Sequence, residues 1–138
     1  MNSLSISSSI PYLALLIAAV LIYIPRGVVA REQARQPEGY DNSTPRLQVA
    51  KLSGLGQRAQ GAHLNAFEAL TLFAPAVLGC ELRHVDTGRT SALCLAFIAL
   101  RIVYLGLYLG DKSTLRSMVW TLGLLATGAL YVLAVVGA

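Results

Sequence analysis

Charge is what this chain has least of. Only 13% of its 138 residues are Asp, Glu, Lys or Arg, where ordinary soluble domains carry roughly a quarter. The hydrophobic share is 55% and the mean hydropathy +0.60. A soluble chain this short could not cover so much apolar surface, because small folds bury a smaller fraction of theirs. An integral membrane protein is the reading that remains. The net charge of +4 is modest, and no basic run with interleaved aromatics occurs, which excludes a nucleic-acid partner. The two histidines, His63 and His84, fall on different elements, and Cys80 and Cys94 are distant from each other, so no metal site is expected. Both cysteines lie in apolar segments and read as buried, inert thiols. No positive segment precedes the first apolar run, and no small-x-small site follows it, so that run reads as a membrane span and not a cleaved leader.

What the chain does have is four long apolar runs. They predict helices over residues 10–30, 55–82, 90–110 and 115–136. The first is expected to start at Ser9 as N-cap with Pro11 in its first turn, and to end with Arg26 reaching for the interface. A kink is expected at Pro75. Ser113 or Thr114 is expected to cap the last helix. The expected fold is an all-α, integral-membrane four-helix bundle of left-handed up-down topology, one domain over residues 1–138. The first connection, residues 31–53, is long and carries turn chemistry around Pro37, Gly39 and Pro45. It is either a solvated connector or an ordered loop that lids a site at the membrane surface. Four spans put both termini on one side. The first and third connections, with their helix ends, carry Arg26, Arg31, Arg35, Arg46, Lys51, Arg58, Lys112 and Arg116, while the second has only Arg83 and Arg89. The positive-inside rule places the first and third connections in the cytoplasm and both termini opposite.

The rare charges inside the spans are the candidates for function. At ~100° per residue, Arg58, Gly61 and Asn65 of the second helix lie within about 60° of one another, with Glu68 about 20° further round. His63 points roughly the other way and is assigned no catalytic role. The third helix carries Arg101, Tyr104 and Tyr108 on one face, and Arg116 and Ser117 open the fourth. An ionisable group in hydrocarbon is costly alone, so Arg101 and Glu68 are expected to pair, within or between subunits. Trp120, one turn deeper, reads as an interfacial anchor.

Three stretches together resemble one family, the membrane-associated proteins in eicosanoid and glutathione metabolism (MAPEG). They are Arg58-Ala59 with Ala62 to Glu68, Arg101-x-x-Tyr104-x-x-x-Tyr108, and Arg116-Ser117. The stretch Gly39-Tyr40-Asp41-Asn42-x-x-Pro45-Arg46 is similar to that of bacterial members. The resemblance covers nearly the whole chain. It implies a homotrimer that binds glutathione between subunits near the cytosolic face, and a lipophilic electrophile reaching the thiolate from the lipid. It implies Arg116 as the catalytic residue that stabilises the thiolate, with Arg58, Asn65, Glu68, Arg101, Tyr104, Tyr108 and Ser117 binding the ligand. Glutathione-using relatives often carry arginines where this chain has Gly61 and Leu64, and some have a tyrosine at the position of Trp120. Two other readings stand beside it. One is a non-catalytic member of the same fold that binds a lipid or another small amphipathic ligand. The other is a small multidrug-type transporter, which usually places its acid in the first helix; here that helix has none before Arg31.

Overall fold

A computed structural model describes residues 6–137. The elements in chain order are α1 (Ile6–Ala34), the short α2 (Pro45–Ala50), α3 (Gly54–Leu82), α4 (Thr87–Leu109) and α5 (Ser113–Val136). The architecture is all-α, and four of these helices are long and apolar enough to cross a membrane. The four expected helices are all present, with different ends.

α1 begins before Ser9 and continues past Ala30, so Ser9 is not its cap. Both its prolines, Pro11 and Pro25, lie inside the helix and are fully buried. Each removes one backbone bond, yet the helix continues, because its buried face is unbroken. Pro11, Ala14, Ala18, Ile22, Pro25, Val29 and Gln33 follow one another in steps of three or four, which is one side of a helix. α4 starts three residues earlier than expected because Asp86 caps it: the carboxylate accepts from the Arg89 N–H at 2.9 Å. Neither Ser113 nor Thr114 caps α5. Ser113 already lies in its first turn, and its carbonyl accepts from the Ser117 hydroxyl at 3.1 Å. α3 runs through Pro75 as one helix.

α1 packs on α3 and α4, and α5 packs on the same two helices from the other side. Small side chains (Ala14, Ala18, Ala76, Ala126) allow close approach at these seams. The middle of the bundle is held by Phe73 and Phe97, stacked with ring centroids 3.8 Å apart. Leu130, Val77, Cys80 and Cys94 surround them, fully buried. Both thiols are free, as expected of buried cysteines, and Cys80 donates to the Leu130 carbonyl at 3.2 Å. Leu16, Val20, Leu72, Ile102, Leu125 and Val132 face outward and are exposed. Water would penalise that surface and lipid would not.

The connection after α1 is ordered by two buried glutamines. Gln33 donates to the Pro45 carbonyl at 3.0 Å and to Gln48 Oε1 at 3.1 Å. Gln48 donates to the Gly39 carbonyl at 2.6 Å, and its Oε1 accepts from the Asp41 N–H at 3.1 Å. Arg26 does not simply reach outward; it donates to Gln33 Oε1 at 3.2 Å. Asp41 in turn accepts from the Thr44 hydroxyl and from the Thr44 and Ser43 N–H groups. These bonds, the Thr44 hydroxyl first, hold its carboxyl below the ordinary carboxylate range. The connection is therefore an ordered loop, with most of its side chains still exposed. It contributes Pro45, Arg46 and Val49 to a groove of about 570 Å³ on the α1–α3 side, whose other walls include Arg26, Gln60 and His63.

Candidate functional site

The polar residues singled out in the sequence come from three helices, and all but Arg58 converge between α3, α4 and α5. Two adjoining hollows lie there, of about 110 and 210 Å³, sharing Asn65 and Trp120. The deeper one is walled by Glu68, Leu72, Phe97, Arg101, Leu124 and Thr127. The outer one is walled by Tyr104, Tyr108, Arg116 and Ser117. Loop residues 31–53 line neither, so the ordered loop is no lid on this cleft.

Arg101 is buried midway along α4. Within the chain it does not pair directly with Glu68. It donates to Asn65 Oδ1 at 3.0 Å, and Asn65 Nδ2 donates to Glu68 Oε2 at 3.1 Å. Asn65 precedes Glu68 by one turn of α3, so its amide meets the guanidinium with its oxygen and the carboxylate with its nitrogen. The expected ion pair is thus relayed through a neutral group. Glu68 itself is exposed on the single chain.

Above this relay runs a stack. The Arg101 guanidinium lies 4.3 Å from the Tyr104 ring centroid. Tyr104 meets Tyr108 edge-on at 5.5 Å and 79°. The Arg116 guanidinium lies 4.3 Å from the Tyr108 centroid. Each cation–aromatic contact is worth about 0.5–2 kcal/mol according to exposure. The i, i+3, i+7 spacing on α4 aligns the first three, and the short turn to α5 brings Arg116 back over the third. Arg116 makes no ion pair among the described residues. One face of its guanidinium is taken by the ring, and its N–H edge remains for an anion. Its place in the first turn of α5 adds the positive end of the helix dipole.

Arg58 is not brought to the cleft. It donates to the Leu109 carbonyl at 3.3 Å and to Asp111 at 3.4 Å, tying α3 to the end of α4. His63 lies away from the cleft and ties α3 to α1: Nδ1 donates to the Ile22 carbonyl at 2.9 Å. A carbonyl can only accept, so this bond fixes the Nδ1–H tautomer for the neutral ring. From the sequence, Trp120 reads as an interfacial anchor and Gly123 and Thr127 as small surfaces for close helix contact; Trp120 walls both hollows, and Gly123 and Thr127 line the deeper one. Their helical spacing from Arg116 was the available signal: 120, 123 and 127 follow it in steps of three and four.

The cleft thus offers one guanidinium edge, one carboxylate, neutral donors and acceptors, and an apolar floor. Such a set fits a small zwitterion whose anionic end meets Arg116 in the outer hollow and whose cationic end reaches Glu68 in the deeper one, beside apolar walls. No curated protein and no solved structure matches the chain. The model of the MAPEG family matches residues 10–136, which takes in all four spans. The chain is a multi-pass integral membrane protein and belongs to the MAPEG family.

Proposed function

We propose that this protein is a membrane glutathione transferase or peroxidase-like enzyme that delivers the glutathione thiolate to lipophilic electrophiles. The observation that carries the proposal is the Arg116 guanidinium, held on the Tyr108 ring at the mouth of a cleft whose floor is apolar. A thiol reacts as its thiolate, and a cation beside a helix N-terminus lowers its pKa. Arg116 stabilises the sulfur anion once the thiol proton has left to solvent. The sulfur lone pair then forms a bond to the electrophilic carbon, and the leaving group departs with its electron pair. In the peroxidase variant, two glutathione molecules reduce a hydroperoxide to an alcohol and water and become one disulfide. Glu68 takes the glutathione ammonium, and Asn65, Tyr104, Tyr108 and Ser117 supply neutral hydrogen bonds. Arg101 holds Asn65 in place from beneath. The working unit we propose is a homotrimer, with the neighbouring subunit covering the exposed Glu68. We place the first and third connections on the cytosolic side, where glutathione enters, and both termini opposite.

One observation favours a second reading. Arg58 bonds to Asp111 and the Leu109 carbonyl, and among the described residues Arg116 is the only arginine that lines the outer hollow. A ligand with one anionic group and an apolar tail, held without turnover, fits that count. Isothermal titration of the detergent-purified protein with glutathione separates the two. The enzyme reading predicts saturable heat that Arg116→Ala abolishes, and conjugation of a lipid-soluble electrophile. No heat at millimolar glutathione sinks it.

A further inference from the structure

Gly61 sits on α3, one turn before Asn65, and faces the Tyr108 end of the stack. A Cβ built on it would overlap the Tyr108 hydroxyl and stand 2.9 Å from Tyr108 Cζ and 3.3 Å from Cε1. Both hydroxyl and Cζ would be closer than a real side-chain carbon tolerates. Gly61 lies inside the helix, where glycine is less favourable than alanine. Its backbone gives no reason for that cost, since its φ is not in the left-handed region. The room above it does.

We propose that Gly61 is a positioning residue of the cleft: its missing side chain is the seat of the Tyr108 phenol, and through that ring it fixes the Arg116 guanidinium. This rests on the functional reading given above, in which Arg116 meets the anionic sulfur. Two contacts make the linkage. The Tyr108 ring is bounded on one side by the edge of Tyr104 and covered by Arg116 on another. The atoms a methyl group at position 61 would strike are all at the far end of a side chain, so the phenol yields and the helix does not. The phenol swings away, the ring leaves its place under the guanidinium, and Arg116 loses the surface that orients it. The backbone contacts of α3 stay as they are. The effect of the substitution falls on the site and spares the fold.

The seat also sets specificity. With the phenol over Gly61, the groups that line the outer hollow near α3 are Asn65 and the Tyr108 hydroxyl, both uncharged. Among the described residues, Arg116 is the only charged side chain that lines this hollow, so small changes in the ring's position are felt directly by the ligand.

The test is a double-mutant cycle on the full-length protein: Gly61→Ala, Tyr108→Phe and the pair. Phenylalanine lacks the atom that overlaps, so alanine at 61 is silent in that background after a shift of a few tenths of an ångström at Cζ. Two readouts are taken. The first is glutathione affinity. Gly61→Ala weakens it about tenfold, the size of one cation–π contact, and in the Tyr108→Phe background it adds nothing. The second needs no ligand. Trp120 is the single tryptophan and shares the hollow with Tyr108 and Arg116. Its quenching by iodide reports the nearby guanidinium, and its quenching by neutral acrylamide reports access alone. Gly61→Ala changes the iodide slope relative to the acrylamide slope, and the change vanishes in the double variant. Equal effects of Gly61→Ala in both backgrounds, or none in either, overturn the proposal. A protein that binds no glutathione but shows the iodide coupling sinks the enzyme reading and leaves the seat standing.

Discussion

The chain carries two polar clusters in apolar surroundings, and they are finished to different degrees. Around Gln33 and Gln48, the donors and acceptors meet each other: two side-chain amides, the Pro45 and Gly39 carbonyls and the Asp41 N–H close among themselves. Between α3, α4 and α5 the account stays open. Arg101, Asn65 and Glu68 form a relay, but Glu68 is exposed and Arg116 has an aromatic face and no carboxylate. A closed cluster holds backbone in place and has nothing left to give a ligand. An open one keeps strong donors and acceptors unspent, which costs stability and leaves binding capacity.

That difference can be broken by substitution. The largest effect is expected from Asn65→Leu. It leaves the buried Arg101 without its acceptor, at ~2–3 kcal/mol for a hydrogen bond to a charged group, and it frees Glu68. Chemical unfolding in detergent should show the full loss, and glutathione affinity should fall with it. Asn65→Asp restores an acceptor for Arg101 but sets a second carboxylate against Glu68, so it should recover only part of the stability. A smaller effect of ~1–2 kcal/mol is expected from Gln48→Ala, which unties Gln33, Gly39 and Asp41 at once. Here stability falls and glutathione affinity holds. If Gln48→Ala weakened the ligand as much as Asn65→Leu, the two clusters would not be the separate devices described.

The sequence made the spans legible because twenty apolar residues in a row have few other uses. Their ends were harder. Pro11 and Pro25 look like punctuation in a one-dimensional reading, yet both are packed on the buried face of a helix that continues past them. α2 is six residues long, too short to show a period. Arg101, Tyr104 and Tyr108 could be placed on one face because their spacing is local. Arg58's tie to Asp111 spans 53 positions, and Gly61's contact with Tyr108 spans a whole hairpin of helices; neither leaves a trace in spacing. The Arg101–Glu68 pair was expected from the cost of two lone charges. Within the single chain an amide stands between them.

The most direct test of the central claim is the ultraviolet thiolate absorbance that glutathione gains on binding, measured at neutral pH for the parent protein, Arg116→Lys and Arg116→Ala. A thiolate band in the parent, weakened in Arg116→Lys and lost in Arg116→Ala while the fold is retained, is the predicted result. A band of equal strength in Arg116→Ala, or none in the parent at saturating glutathione, would contradict it.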